Sequence, residues 1–154
     1  MRTRVMVIVL ALGLCAGSAA FAAGPAGLSA VGIYGAVGTN AGALSGATGL
    51  SFKFGSFPVL GLTYNFTGNT FGASIDYYVI DAQGLGSSLS YFLGVGGYVG
   101  IGGGDFTAGL RVPLGLQFWP IKKLELYLSP VVSVPLLPAP SVGVGAEFGL
   151  RVHF

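Results

Sequence analysis

The last fourteen residues of the chain, Ser141 to Phe154, read SVGVGAEFGLRVHF. Steps of two put Val142, Val144, Ala146, Phe148, Leu150, Val152 and Phe154 on one face. Gly143, Gly145, Glu147, Gly149, Arg151 and His153 fall on the other. Successive side chains of a strand point to opposite faces, so this alternation predicts a strand with apolar material on one side only. Chain ends usually fray into water. Here the apolar face runs to the final residue, an aromatic one.

The beginning of the chain constrains where it is delivered. Arg2 and Arg4 precede an apolar run from Val5 to Leu14, and Ala20-Phe21-Ala22 supplies a small-residue cleavage site. That pattern is a secretory signal peptide. Residues 1–22 are expected to be removed, leaving 23–154 as one domain. A lipoprotein signal at Cys15 is disfavoured by Leu14, where a small residue should stand. The remaining chain holds no cysteine, which excludes disulfides and thiolate metal sites. Its charges are Lys53, Arg111, Lys122, Lys123 and Arg151 against Asp76, Asp81, Asp105, Glu125 and Glu147. This even balance gives no reason to expect nucleic acid as a partner.

Hydrophobicity then narrows the fold. Mean hydropathy is +0.79, yet beyond the signal no stretch reaches the roughly eighteen apolar residues of a spanning helix. In lipid every backbone polar group must be bonded internally, so the other solution is a closed β-barrel. Eight alternating segments can be laid out: Leu28–Gly38, Leu44–Phe54, Val59–Phe66, Phe71–Ile80, Ser88–Ile101, Phe106–Phe118, Leu124–Leu136 and Ser141–Phe154. Single-chain bacterial barrels have an even strand count. Turn residues fall between the segments, as in Thr67-Gly68-Asn69-Thr70 and Gly102-Gly103-Gly104-Asp105. The predicted class is all-β: an eight-stranded antiparallel up-and-down transmembrane β-barrel.

Charge placement separates this from a soluble sandwich. Asp81, Asp105, Lys122 and Lys123 lie in the predicted connectors. Lys53, Asp76, Arg111, Glu125, Glu147 and Arg151 all share the face opposite the apolar one. A cation facing lipid at the midplane costs about 2–4 kcal/mol. A sandwich would turn its charges to water, and a soluble domain carries about a quarter charged residues; this chain carries 8%. Outward aromatics cluster at strand ends, with Tyr64, Phe66, Phe71 and Phe106 at one rim. Phe52, Phe54, Tyr77, Tyr91, Phe118, Trp119 and Phe154 lie at the other. Two aromatic girdles flanking an aliphatic band mark a barrel across a bilayer.

An eight-stranded lumen is just wide enough to be filled by side chains. The six inward charges are expected to pair there, Arg111 with Glu147, and Lys53, Glu125 and Arg151 at a common depth. The network is either a plug that fixes register or the gate of a very narrow pore. Phe148, Leu150, Val152 and Phe154 form a candidate C-terminal signal for the barrel-insertion machinery.

The chain resembles the small eight-stranded outer-membrane barrels, the family of OmpX, OmpW and the transmembrane domain of OmpA. The segments RVPLGLQFW (Arg111–Trp119), LELYLSPVV (Leu124–Val132) and GAEFGLRVHF (Gly145–Phe154) are similar in wording to uncharacterised short spirochaete-type barrels. The resemblance implies residence in the bacterial outer membrane, with lipid as the surrounding partner. It also implies an envelope-structural or surface-interaction role such as adhesion or host-factor binding. A narrow gated pore for small solutes, or a soluble lipocalin-like binder of an apolar ligand, are the alternative functions.

Catalytic constellations are missing from the pattern, and no enzyme, cofactor or metal is expected. The one histidine, His153, is penultimate and expected at the barrel mouth. No nucleophile-elbow glycines surround a serine. Zinc needs three or four grouped ligands. In GVGGYVGIGGGD the third glycine of a dinucleotide motif after Gly94 and Gly96 is replaced by Val99.

Overall fold

The structure is a computed structural model that describes residues 28–40, 43–55 and 58–154. The proposed signal segment lies outside the described residues. Eight strands follow one another: β1 (Ala30–Asn40), β2 (Ala43–Lys53), β3 (Val59–Asn65), β4 (Thr70–Gly84), β5 (Leu89–Gly102), β6 (Asp105–Ile121), β7 (Leu124–Leu137) and β8 (Gly143–His153). Each pairs antiparallel with its neighbours in order, and β8 closes on β1. The fold is an eight-stranded closed β-barrel, and no strand edge remains open.

Closure is staggered. Stepping across paired residues from Ala30 leads through Lys53, Val59, Asp76, Gly96, Arg111 and Ser133 to Gly143. Since Val144 pairs with Thr39, the walk re-enters β1 beside Asn40, ten positions beyond its start. Such a stagger tilts the strands and sets the lumen width. The start of β1 and the end of β8 lie at one rim, here the terminal rim; the β3–β4 and β5–β6 turns lie at the far rim. Gly103 and Gly104 form the β5–β6 turn with φ of 62° and 89°. A two-residue hairpin turn of this kind requires positive φ at both positions, which glycine adopts without a steric penalty.

The outer wall is apolar. Val142, Val144, Phe148, Val152 and Phe154 are exposed on it, as are Leu110, Val112, Leu114 and Leu116 of β6. Glu147 is half-buried and Arg151 buried, on the opposite face. The far-rim aromatics touch: the Tyr64 ring lies 4.9 Å from Phe66 and 4.7 Å from Phe71.

Inside, bulk is accommodated by a repeated device. Large lumen side chains lie flat across glycines of the adjacent strand. Tyr34 covers Gly49, Asp76 covers Gly96, Phe92 covers Gly115, Tyr127 covers Gly149 and Arg151 covers Gly32. A Cβ on Gly149 would come within 2.7 Å of the Tyr127 ring. In every one of these pairs the glycine belongs to the next strand, with β1 following β8. These five side chains therefore lean in one rotational sense around the barrel.

Four residues depart from the positions expected from sequence, Asp105 among them: it begins β6 instead of lying in a connector, because the β5–β6 turn is closed by Gly103 and Gly104 alone. Trp119 does not join the outer girdle; it continues the inward parity of Arg111, Gly115 and Gln117 and is 5% exposed. His153 is not at an open mouth but is 1% exposed. Asp81 is not in a connector but in β4. Register shifts between Tyr78 and Gln83 reset the alternation there, turning Asp81 toward Lys53. An inserted residue reverses parity locally, and simple alternation carries no mark of it.

Candidate functional site: the lumen

The lumen charges separate into three groups. Lys53 ion-pairs with Asp81 at the terminal rim. Arg151 and Glu125 form the second group, together with His153. Arg111, Asp76 and Glu147 form the third, nearer the far rim. Lys53 thus does not share a cluster with Glu125 and Arg151, because the β4 bulge supplies it with its own carboxylate.

The second group is dense. Arg151 Nη1 donates to Glu125 Oε1 at 3.0 Å, Nη2 to the Tyr78 hydroxyl at 3.0 Å and Nε to Ser51 Oγ at 2.9 Å. Its guanidinium also stands 4.1 Å from the centre of the Tyr127 ring, a cation–π contact. The other Glu125 oxygen, Oε2, lies 2.7 Å from His153 Nε2. A relay reaches the same carboxylate from the far side of the plug. Trp119 Nε1 donates to Ser90 Oγ at 2.8 Å, Ser90 to Gln117 Oε1 at 3.0 Å, and Gln117 Nε2 to Glu125 Oε1 at 3.1 Å. Three side chains from two strands, Gln117 of β6 with Arg151 and His153 of β8, thus converge on one buried anion. Above them Tyr78 and Phe92 stack at 4.6 Å and 17°, and Phe92 meets Tyr127 edge-on at 6.3 Å. This aromatic layer, with Tyr34, is the buried apolar core. The terminal half of the lumen is filled.

The third group is looser. Arg111 Nη2 donates to Glu147 Oε1 at 2.7 Å. Arg111 Nε lies 3.0 Å from Asp76 Oδ1, but off the N–H direction, so the contact is an ion pair without a hydrogen bond. Gly96 stands between the two in the pairing order. Any side chain there would meet Asp76, so the glycine is what permits the pair to form across β5. Above Arg111 and Glu147 opens a vestibule of about 340 Å³ toward the far rim, lined by Thr63, Ser74, Tyr98, Thr107 and Ser133 among others.

Sequence reasoning missed His153, Trp119, Gln117 and Ser90 as members of the Glu125 cluster. Parity alone placed all four inward. An expectation that Trp belongs in a girdle and that a penultimate residue faces water overrode that signal. Among the described residues no three His, Cys, Asp or Glu side chains group as metal ligands.

A closed eight-stranded barrel with an apolar wall and charged lumen is the fold of the small outer-membrane barrels. Solved structures share it, among them two with a likeness over most of this chain. One is the N-terminal β-barrel domain of Pseudomonas aeruginosa OprF, at 14% identity, covering 83% of this chain and 99% of that one with a TM-score of 0.55. The other is Neisserial surface protein A, at 15% identity, covering 84% and 98% with a TM-score of 0.51. No protein-family model matches the sequence, and no curated protein matches it either.

Proposed function

We propose that this chain is a non-enzymatic integral barrel of the bacterial outer membrane, plugged in its lumen, with an envelope-structural or surface-interaction role. The terminal rim faces the periplasm, from which an exported chain is delivered, and the far rim faces outward. The observation that carries this reading is the segregation of the wall. Among the described residues the large side chains exposed on the outer face of the strands are aliphatic or aromatic, and Lys53, Asp76, Arg111, Glu125 and Arg151 are all turned inward. A water-soluble barrel holding an apolar ligand needs the opposite arrangement. Support for a plug over a pore comes from the Arg151–Glu125 cluster and the Phe92 layer, whose side chains are buried against one another across the terminal half. Envelope fractionation with gel mobility before and after heating tests the proposal. The expected result is a detergent-extracted protein whose mobility changes on boiling. Recovery in the soluble periplasmic fraction would refute it.

A further inference from the structure

The two halves of the lumen differ in how their polar groups are used. Around Glu125 the carboxylate oxygens and the guanidinium of Arg151 are hydrogen-bonded to the protein. In the far-rim vestibule the hydroxyls of Thr63, Thr107 and Ser133 line open space and make no hydrogen bond to another described residue. Arg111 engages only one oxygen of Glu147, while Glu147 lines the cavity. Asp76, 5% exposed, has an Oδ1 with no hydrogen bond despite its ion pair.

Formal charge is also divided along the axis. The far half holds three carboxylates, Asp76, Asp105 and Glu147, against the single cation Arg111. The terminal half holds Lys53, Lys122, Lys123 and Arg151 against Asp81 and Glu125. The vestibule wall itself carries one charge of each sign, Arg111 and Glu147; with Asp76 also paired to Arg111 the triad keeps one negative charge in excess, and low-dielectric walls focus such a field on a cation. Its volume lies at the small end of ligand sites, which run about 300–1,000 Å³.

From these features we infer that the vestibule is a binding site for a small hydroxylated organic ammonium ion, of the size and chemistry of an amino sugar. An ammonium group carries three donors and no acceptor. It would sit on the cavity-facing side of Glu147, at the carboxylate oxygen that Arg111 does not engage, and its three donors would be shared with neighbouring hydroxyl oxygens. The ligand's own hydroxyls would take the unspent donors and acceptors of Thr63, Thr107 and Ser133. The Tyr98 ring offers an apolar face for its C–H groups. Arg111, held between Asp76 and Glu147, keeps the carboxylate oriented and is a positioning residue. The filled terminal half makes the site a blind pocket, so a ligand enters and leaves at the far rim.

Isothermal titration of the detergent-extracted full protein with glucosamine hydrochloride, glucose and putrescine tests this. One saturable site for glucosamine is expected, weakening as salt is raised, with glucose and putrescine each at least about tenfold weaker. Glu147→Gln and Thr107→Val should each weaken glucosamine about tenfold, a difference of roughly 1.4 kcal/mol. Heat-dependent gel mobility identifies folded variants, and Thr107→Val, nearly isosteric and on the wall, tests the site if Glu147→Gln fails to fold. Absence of a saturable site, equal binding of glucose or putrescine, or unchanged binding by a folded Glu147→Gln or Thr107→Val overturns the inference. The inference rests on the barrel reading only for the side from which ligand arrives. Binding is read on the purified protein whichever fraction yields it, so failure here and failure of the membrane assignment are distinguishable.

Discussion

Arg151 lies across Gly32, with its Cγ 2.7 Å from where a Cβ on that glycine would stand, and so reaches Ser51 on the strand beyond. The residue order along this row is Glu125, Arg151, Gly32, Ser51, and the missing side chain in the middle lets one arginine tie three strands together.

Gly32→Ala is therefore expected to destabilise the barrel by about 1–3 kcal/mol, the usual cost of overpacking a filled interior, or to prevent closure. The added methyl meets both Arg151 Cγ and the Leu150 carbonyl oxygen. Gly97→Ala is the control, since its nearest neighbour would be the Gly109 carbonyl oxygen at an ordinary 3.5 Å. Urea unfolding in micelles compares them, and equal midpoints would show that Gly32 is not needed for close approach.

Glu125→Ala removes the anion on which Arg151, His153 and Gln117 converge. Leaving a buried guanidinium uncompensated costs about 3–5 kcal/mol. Replacing both charges, Glu125→Gln with Arg151→Met, should recover a large part of that loss. A double variant as unstable as Glu125→Ala would contradict a charge-pairing origin.

Trp119 is the single tryptophan of the chain and reports on the plug. Buried and bonded to Ser90, it should resist quenching by iodide in the folded protein and become accessible on unfolding. Trp119→Phe keeps the ring but loses the donor, and should cost about 1 kcal/mol. Full iodide quenching in the folded state would place the indole outside.

Wild-type protein in planar bilayers should pass no steady current, because the aromatic layer of Tyr78, Phe92 and Tyr127 sits above the Glu125 cluster. Phe92→Gly combined with Arg151→Ala should open measurable conductance. A steady wild-type current would identify the network as a gate.

Phe154 tests the C-terminal signal. Its side chain is 71% exposed, and its tie to the barrel is a backbone N–H to the Ser29 carbonyl at 3.0 Å. Phe154→Asp leaves that bond intact, so a folding defect in cells would arise from recognition by the insertion machinery. Accumulation of protease-sensitive protein in the periplasm is expected. Normal assembly of the variant would make the terminal aromatic incidental.

The sequence by itself determined the strand count, the face of almost every strand residue and the inward placement of the charges. It could do so because side-chain parity is a local property with a period of two, and burial in lipid penalises a charge on the wrong face. The Arg111–Glu147 and Arg151–Glu125 pairs were legible from similar depth along their strands, although depth alone wrongly groups Lys53 with the second pair. What only the tertiary structure decided is what depends on register and on reach across strands. The β4 bulge that gives Asp81 to Lys53 reverses parity without a local signature. The convergence of Trp119, Ser90, Gln117 and His153 on Glu125 joins residues on β5, β6, β7 and β8. The cover of Gly49, Gly96, Gly115, Gly149 and Gly32 by a side chain of the preceding strand likewise depends on register, which exists only once the strands have paired.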